Sequence, residues 1–307
     1  MYTISDLVIY PIKALPGIHV KEGLANRLGL AHQNLAVRDR AFMVVDGTTG
    51  KFISLRTHAK GLSKISLTLN EEAKTLDLVA RDTPGVHAPL RIDVSSGCRH
   101  REEELMQSNV WEWEGKAAVV DREWFSKVLG QDVALVRCLE GMDRPVDPEY
   151  ASAEEQTGFS DGFPYLFAFE ESLIDLFGDA YGEKARDMMG RFRGNIIVSG
   201  GEPWQEDGVR QLTCSSSSAS FSLCKPCSRC TVPTIDPGTG EVDPRVTDLL
   251  RSKRSGRALG WTEGPRGFKN STFFGVNACV VVDDDCVHEE LHVRVGDRLL
   301  VDDLRKL

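Results

Sequence analysis

Ile65-Ser66-Leu67-Thr68-Leu69 and Thr75-Leu76-Asp77-Leu78-Val79 decide the fold class of this 307-residue chain. In each run apolar and polar side chains alternate, and the short polar segment 70–74 joins them. Alternation with a period of two is typical of a strand with one buried face, and two such runs around a short turn predict a β-hairpin. The chain therefore contains antiparallel sheet.

The same alternation recurs along the chain, and helical patterns are few. Strands are predicted at 7–10, 41–45, 51–55, 110–113, 117–120, 165–169, 195–198, 273–282, 291–295 and 298–301. Turns are expected at Asp46-Gly47, at Glu114-Gly115 between strands 110–113 and 117–120, and at Gly296-Asp297. Helices are predicted at 123–129, within 171–189, and from the Asp243-Pro244 start to about Lys253. These elements predict a β-rich α+β protein with barrel-like sheets.

Length and composition bound the class of protein. A hydrophobic content of 41% and a charged content of 27% are ordinary for a soluble globular protein. The length predicts two domains, and the polar segment 139–161, rich in Pro and Glu, places the boundary so that they span 1–145 and 146–307.

Charge and hydropathy exclude other classes. A net charge of −9 argues against nucleic acid as the main partner, since phosphate binding requires a basic surface. No run of about 18 apolar residues occurs, so no membrane span is expected. The N-terminus lacks the basic start and apolar core of a signal peptide, so the chain as given is expected to be cytoplasmic, with reduced cysteines.

Three of the eight cysteines fall at intervals of three, in Cys224-Lys225-Pro226-Cys227-Ser228-Arg229-Cys230. A thiolate is a nucleophile and a soft metal ligand, and nearby positive charge lowers a thiol pKa. Cys224 and Cys227 fit small buried apolar residues. Cys230 fits that role poorly, because Arg229 and the following polar turn predict an exposed, electropositive position.

Two metal sites compete for these cysteines. An iron–sulfur cluster needs a fourth cysteine, and neither Cys214 nor Cys279 completes a suitable spacing. A structural zinc module could combine Cys227-x2-Cys230 with His288-x3-His292, although the two halves lie much farther apart than in a zinc finger. The zinc module stays open as an alternative.

Basic residues lie at several predicted element ends: Lys13, Arg38, Arg40, Arg56, Arg191 and Arg193. Side chains at such ends can point into a cleft, and arginine forks match phosphate oxygens. In an acidic protein this pattern indicates a site for an anionic cofactor. The alternative for each residue is an ion pair with a neighbouring Asp or Glu.

Five segments, in chain order, carry a resemblance to a known family. They are Ile9-Tyr10-Pro11-Ile12-Lys13, residues 34–40 ending in Arg38-Asp39-Arg40, Phe159-Ser160-Asp161, Arg193-Gly194-Asn195 with the strand that follows, and Cys227-Ser228-Arg229-Cys230 with Thr234-Ile235-Asp236-Pro237-Gly238. A Val-Gly-Asp-Arg strand lies near the C-terminus. Together they resemble the MOSC proteins, and within them the mitochondrial amidoxime-reducing components.

The resemblance implies a fold and a cofactor. The fold is an N-terminal MOSC-type barrel-like domain followed by a C-terminal MOSC β-barrel with a few helices. The cofactor is the molybdenum cofactor, with Cys230 as the molybdenum ligand. The residues that match the family's cofactor-binding positions are Lys13, Arg40, Arg193, Asn195, Ser228 and Arg229. The family is also associated with pyridoxal phosphate binding.

This sequence departs from the family pattern in two places. Ala14 follows Lys13 where relatives carry a hydroxyl residue, and Gly162-Phe163 follows Asp161 where relatives carry Thr-Ser. Two hydroxyl contacts to the cofactor are therefore expected to be missing or replaced by backbone N–H groups.

The resemblance further implies reduction of N-hydroxylated compounds such as amidoximes, hydroxamic acids, N-hydroxyguanidines and N-hydroxylated bases, with Asp161 as the candidate for handling protons. The chain has no ferredoxin, flavin, nicotinamide or haem motif, so the implied donors are cytochrome b5 and NADH-cytochrome b5 reductase. A donor-facing basic patch is predicted from Lys225, Arg229, Arg251, Lys253, Arg254 and Arg257.

Two further implications of the resemblance concern alternatives. MOSC domains also occur in molybdenum cofactor sulfurases, so a cofactor or sulfur carrier that uses Cys230 is the second hypothesis. The family's mitochondrial members are anchored by an N-terminal segment, so the cytosolic face of the mitochondrial outer membrane is the expected location if such an anchor is missing from this chain.

Overall fold

The computed structural model describes residues 1–82, 87–96, 104–261, 268–282 and 290–304. The strands are β1 (Tyr2–Ile9), β2 (Ile18–Val20), β3 (Glu22–Asn26), β4 (Gly29–Ala31), β5 (Phe42–Asp46), β6 (Ile65–Asn70), β7 (Thr75–Ala80), β8 (Leu90–Asp93), β9 (Leu105–Val110), β10 (Trp113–Asp121), β11 (Val133–Arg137), β12 (Tyr165–Phe169), β13 (Ile196–Ser199), β14 (Val209–Cys214), β15 (Ser220–Arg229), β16 (Thr272–Val281), β17 (His292–Arg294) and β18 (Arg298–Leu304). The helices are α1 (Leu55–Leu62), α2 (Glu123–Leu129), α3 (Glu170–Tyr181), α4 (Met189–Phe192) and α5 (Arg245–Arg254).

The largest sheet closes into a barrel. Its strands follow the order β13-β12-β16-β15-β14-β18-β1, and β1 pairs back onto β13 to complete the ring, while β2 adds to the outside of β1. All ring pairings are antiparallel except β12 with β13. The barrel is filled by apolar side chains such as Ile4, Phe167 and Phe221, each 0% exposed. The prediction of a β-rich α+β fold with a barrel is confirmed.

Three smaller antiparallel sheets surround the barrel: β5-β11-β10-β9, β6-β7-β8 and β17-β3-β4. The opening hairpin forms as predicted, with Ile65 opposite Ala80 and Leu67 opposite Leu78. Its alternation places Ile65, Leu67, Leu76 and Leu78 in the core, which is why the period-two pattern was a reliable signal.

The predicted strand 51–55 is wrong over most of its length. Phe52 makes only an isolated bridge to Val45, and Leu55 begins helix α1. This helix buries Leu55 and Leu62 on one side. Five residues of mixed polarity could not distinguish a strand from the entry to a short amphipathic helix. As a consequence Arg56 lies in the first turn of α1 rather than after a strand.

The second predicted hairpin has its turn in the wrong place. Trp113 pairs with Val110 and Gly115 with Ser108, so Trp111 and Glu112 form the turn and Glu114-Gly115 lie within β10. A Cβ atom on Gly115 would meet the Trp113 indole at 2.3 Å. The glycine therefore marks a close approach in a strand, not a turn.

The predicted helices are otherwise confirmed, with shifted ends. Helix α2 has the predicted bounds and ends at Gly130, which is left-handed at φ 68°. The region 171–189 becomes α3, a 3-10 turn at Gly182–Met188 and the start of α4. Pro244 is the N-cap of α5 rather than its first residue.

Strand pairing crosses the predicted domain boundary at residue 145. Strand β1, from the first predicted domain, closes the barrel of the second, and β17 pairs with β3. The division into 1–145 and 146–307 itself stays a prediction. Within the described ranges, no helix has both the length and the apolar character needed to cross a bilayer.

Candidate functional site

Segments from both halves of the chain line an open pocket of about 870 Å³, a volume that includes solvent space at its mouth. Seven of the eight predicted site residues line it: Lys13, Arg40, Asp161, Arg193, Asn195, Arg229 and Cys230. Ser228 is the exception, because it is exposed on β15 and is not part of the lining. The structure therefore brings together residues that are up to 217 positions apart (13 to 230) in the sequence.

Asp39 organises the basic side of the pocket. Its carboxylate is fully buried and accepts hydrogen bonds from the Tyr10 backbone N–H at 2.8 Å and from Asn195 Nδ2 at 2.7 Å. Its other oxygen accepts from Arg40 Nη1 at 2.5 Å. Asn195 Nδ2 also donates to the Val8 carbonyl, at 3.1 Å. One carboxylate thus fixes the loop after β1, the segment before β5 and the start of β13.

Two guanidinium groups share the Tyr10 ring. Arg40 lies 4.7 Å and Arg193 lies 4.3 Å from the ring centroid. Burial, with Arg40 beside it, lowers the pKa of Arg193 to about 10. Burial also opposes the charge of Arg40, but its ion pair with Asp39 raises the Arg40 pKa above its usual value. Both cations persist at neutral pH with one carboxylate between them, so the site favours an anion.

Both arginines have left-handed backbones, at φ 45° for Arg40 and φ 59° for Arg193. Arg193 ends helix α4, and its Nη2 donates to the Leu15 carbonyl at 2.8 Å. A left-handed non-glycine residue costs free energy and marks a position that its surroundings impose. Here the surroundings turn each guanidinium towards Tyr10.

Lys13 and Asp161 form an ion pair on another wall. The Lys13 Nζ atom donates to Asp161 Oδ1 at 2.5 Å and to the Phe159 carbonyl at 2.8 Å. The Lys13 side chain is 9% exposed, while that of Asp161 is 71% exposed, into the pocket. Burial lowers the pKa of Lys13, and Asp161 only partly opposes this. The surrounding pocket walls reduce the hydration of Asp161 and oppose its charge, but Lys13 and the Trp111 indole hold its pKa well below the usual range.

Arg144, which the sequence analysis did not single out, fixes the loop that carries Asp161. The guanidinium is buried and donates to the carbonyls of Gly158 at 2.6 Å, Ser160 at 2.5 Å and Asp161 at 3.2 Å. Backbone carbonyls held by a fork of N–H donors leave the loop little freedom. Arg144 lies in the polar segment 139–161, which the sequence predicts to contain a domain boundary, so no supporting role was expected for it.

Cys230 follows directly after β15 and is exposed at the pocket. The Val232 backbone N–H points to its sulfur at 3.5 Å. The neighbouring Arg229 donates to Cys227 Sγ at 3.0 Å and to the Phe192 carbonyl at 2.9 Å. The predicted exposure of Cys230 is confirmed, whereas Cys227 and Cys224, expected to be buried, are half-buried.

Two buried polar atoms in the pocket have no hydrogen-bond partner in the described part of the protein. They are Arg229 Nε and Ser160 Oγ. Burying an unpaired donor is costly, so native proteins pair such atoms with a ligand or water. Together with the Arg40 and Arg193 pair and an exposed thiol, these atoms fit an anionic group rich in acceptors that carries a thiophilic metal.

The two departures from the family pattern both lie in the lining. Ala14 has a left-handed backbone at φ 70°. Gly162 and Phe163 follow Asp161, and Phe163 is 7% exposed and packs with Val146 and Cys279. Phe163 therefore serves the core as well as the pocket, which a hydroxyl residue at its position would not do.

The zinc arrangement is not formed by the part of the chain that can be assessed. His288 lies outside the described residues, and His292 Nδ1 hydrogen-bonds to the Glu22 carboxylate at 2.7 Å. Within the described ranges, no group of three or more His, Cys, Asp or Glu side chains is arranged to hold a metal ion.

The predicted basic patch is partly wrong. Arg254 is 3% exposed, pairs with Asp207 at 2.9 Å and stacks on Trp204, so it belongs to the core. Lys225 pairs with Asp147 at 3.2 Å, and Arg229 is turned into the pocket. Of the six patch residues, only Arg251 and Arg257 are exposed and have no such partner in the described part of the protein.

The closed β-barrel thus carries one pocket that contains both buried cations and an exposed cysteine. Models of two families match this chain: the MOSC N-terminal beta barrel domain over residues 1–132 and the MOSC domain over residues 154–300. Together they span most of its length, and the chain belongs to the MOSC proteins.

Curated relatives are similar over most of the chain. Human mitochondrial amidoxime-reducing component 1 is 28% identical over 82% of this chain and 72% of its own length. Mitochondrial amidoxime reducing component 2 from cattle is 27% identical over 89% of this chain and 77% of its own length. The molybdenum cofactor sulfurase of Arabidopsis thaliana is 25% identical over 89% of this chain but only 32% of its own length.

Proposed function

We propose that this protein is a molybdenum cofactor-dependent oxidoreductase that reduces N-hydroxylated compounds to the corresponding amine-type products and water. The observation that carries the proposal is the exposed Cys230 thiol in the same pocket as the Arg40 and Arg193 pair. The names of the amidoxime-reducing relatives support the reaction class.

The residues divide the work of holding the cofactor. Arg40 and Arg193 provide fixed positive charge for its phosphate and acceptor groups, and Asn195 holds Asp39 and the strand end in place. Arg229 Nε and Ser160 Oγ offer unpaired polar atoms. The Cys230 thiolate would be the metal ligand, and the Val232 N–H beside its sulfur would tune the electron density there. Ser228, exposed on β15 outside the pocket lining, stays a cofactor-binding prediction that rests on the resemblance alone.

When bound, the cofactor supplies the two-electron reduction that removes oxygen from an N–O bond. The overall reaction consumes two electrons and two protons for each water released. The chain's part is to manage these protons. Asp161 is held ionised, so its carboxylate accepts hydrogen bonds and orients the groups that donate them. Lys13, with its pKa lowered by burial, is the adjacent group able to give a proton.

Electrons are proposed to come from a separate protein, with cytochrome b5 and NADH-cytochrome b5 reductase as the donors. The docking surface is the smaller basic patch that remains, formed by Arg251, Arg257 and Lys253. The Lys253 ammonium donates to the Asp175 carbonyl at 2.6 Å. Charge reversal at both Arg251 and Arg257 should slow reduction by the protein donor and leave reduction by a small reductant unchanged.

The cellular location and the binding of a second cofactor are part of the proposal. We propose a cytoplasmic protein, or one on the cytosolic face of the mitochondrial outer membrane; the names of the relatives support a mitochondrial location and no finer one. Pyridoxal phosphate binding stays a prediction that none of the reported relatives bears upon.

Turnover tests the proposal. The protein, produced in a host that makes the molybdenum cofactor, is supplied with reduced viologen and benzamidoxime, and benzamidine is quantified. Steady formation of benzamidine, absent from the Cys230→Ala variant, supports the reductase. A fully loaded protein that forms no benzamidine and reduces no hydroxamic acid contradicts it.

A cofactor or sulfur carrier is the second candidate, and the exposure of Cys230 favours it too, since a sulfur carrier needs an accessible thiol. The sulfurase relatives name that chemistry. A persulfide on Cys230, seen by mass spectrometry in protein without reductase activity, would select this candidate.

A further inference from the structure

Trp111 is a large aromatic residue in an unusual position. It lies in the tight turn between β9 and β10, its backbone is left-handed at φ 55°, and 48% of the residue is exposed. A bulky residue in this conformation costs free energy and is found where surrounding contacts impose it. None of the cofactor-holding roles assigned above requires it.

The contacts of Trp111 turn its indole onto the pocket. Its Nε1 donates to Asp161 Oδ1 at 3.1 Å, and the Phe52 ring meets it edge-on at 5.2 Å between centroids. The Arg56 guanidinium lies 5.0 Å from the indole centroid. All three side chains line the pocket that contains Cys230. We refer to Phe52, Arg56 and Trp111 as the mouth wall.

Arg56 differs from the other cations of the pocket. The others each bind a protein oxygen: Lys13 binds Asp161, Arg40 binds Asp39, Arg193 binds the Leu15 carbonyl and Arg229 binds the Phe192 carbonyl. Among the described residues the Arg56 guanidinium makes no hydrogen bond or ion pair, lies over the Trp111 ring and belongs to an exposed residue. Stacking on the indole fixes the guanidinium plane and leaves its N–H fork free.

We propose that the mouth wall selects the substrate: flat aromatic N-hydroxylated compounds that carry a carboxylate or phosphate away from the N–O group. The aromatic body packs against Trp111 and Phe52, and the anion takes the free fork of Arg56. This inference rests on the proposed function for the reaction, but the binding preference itself can be measured without turnover.

The kinetic test compares benzamidoxime with 4-carboxybenzamidoxime on the loaded protein, with reduced viologen as the electron source. The wild type should favour the carboxylate in kcat/KM by about tenfold, mostly through KM, as expected for one charge-assisted contact. Arg56→Gln should bring the ratio close to one, and Arg56→Lys should restore part of it. Arg210→Gln, which removes an exposed arginine on β14 outside the pocket, should keep the wild-type ratio.

A second comparison tests the aromatic part. Trp111→Leu should raise KM for both benzamidoximes relative to acetohydroxamic acid, which has no ring to pack. A wild-type ratio near one, or a ratio that Arg56→Gln leaves unchanged, overturns the proposal. If Arg56→Gln changed the rate with a protein donor but not with reduced viologen, the proposal would also be overturned, because the mouth wall would then serve donor docking.

Binding separates this proposal from the proposed function. Calorimetric titration of the oxidised, loaded protein with 4-carboxybenzamidoxime and benzamidoxime gives the same ratio as dissociation constants. An Arg56-dependent binding preference without any turnover supports the mouth-wall proposal and contradicts the reductase proposal. Turnover without a preference does the reverse.

Discussion

Asp39 shows how one buried side chain determines a site. It is 0% exposed and joins Tyr10, Arg40 and Asn195, which come from three distant parts of the chain. The sequence placed Asp39 in a motif but assigned it no role, since single-sequence reading shows neighbours along the chain and not partners across it. Arg40, Arg193 and Asn195, which the resemblance gave as cofactor-binding positions, line the pocket. Nothing in the sequence indicated that Tyr10, Asp39 and Arg144 support the pocket residues through hydrogen bonds and ring contacts.

Asp161→Asn should weaken the pocket's hold on anions at high pH. The Asp161 charge opposes the effect of burial on Lys13, so without it the Lys13 pKa falls further and the ammonium form is lost at a lower pH. Molybdenum retained after dialysis should therefore fall more steeply with rising pH in this variant than in the wild type. Asp187→Asn, an exposed change outside the pocket, is the control. Identical retention curves for both variants would contradict this role of Asp161.

Glu206 predicts a pH dependence of stability. Burial raises its pKa to about 7 from an ordinary value of 4.5, and its Oε1 has no partner among the described residues. Because the folded state holds the proton more tightly, stability is greatest below the ordinary pKa and falls as pH rises through about 7. The free energy of unfolding should fall by about 2 kcal/mol between pH 5 and pH 8 from this group.

Urea denaturation at the two pH values measures this effect. Glu206→Gln should show a smaller decrease than the wild type, whereas Glu183→Gln, at an exposed position, should follow the wild type. A decrease of equal size in all three proteins would show that Glu206 is charged in the folded state at both pH values.

Helix α2 illustrates which elements a sequence specifies on its own. Its end is encoded locally, by a glycine that adopts the left-handed conformation. Helix α1 and the turn at Trp111 were mispredicted because they depend on tertiary contacts: α1 on the burial of Leu55 and Leu62, and the turn on Asp161, Phe52 and Arg56. The misplaced turn contains a residue of the mouth wall.

Two glycine substitutions in helices should have opposite effects. Among the described residues nothing lies within 4 Å of a Cβ added at Gly130. The cost of Gly130→Ala is therefore only that of a left-handed alanine at φ 68°, and the substitution should lower the free energy of unfolding by about 1 kcal/mol. At Gly178, inside α3, an added Cβ meets Ile174 at an ordinary 3.8 Å. Gly178→Ala should therefore raise stability by about 1 kcal/mol. Chemical denaturation measures both, and equal signs would contradict the assignment of Gly130 as a helix cap.

The whole molecule is held together by a barrel that uses both ends of the chain. Strand β1 lies between β13 and β18, so removing it opens the ring and exposes two strand edges. The sequence predicted the strands and the barrel, but the boundary at residue 145 relied on composition, which carries no information on pairing between distant strands.

Fragment 146–307 should therefore not fold alone. Its circular dichroism should show no cooperative thermal transition, and co-expression with fragment 1–145 should restore one. A cooperative transition in fragment 146–307 by itself would mean that β1 is dispensable for the barrel.

The most direct measurement for the central claim is the molybdenum content of purified protein from a host that makes the cofactor, compared between wild type, Cys230→Ala and Cys224→Ala. Cys224 lies on β15, the strand that ends just before Cys230, and it is not part of the pocket lining, so it serves as the control. The account predicts about one molybdenum per chain in the wild type and in Cys224→Ala, and loss of the metal or of its thiolate signature in Cys230→Ala. Zinc or no metal in the wild type, or an unchanged metal site in Cys230→Ala, would contradict it.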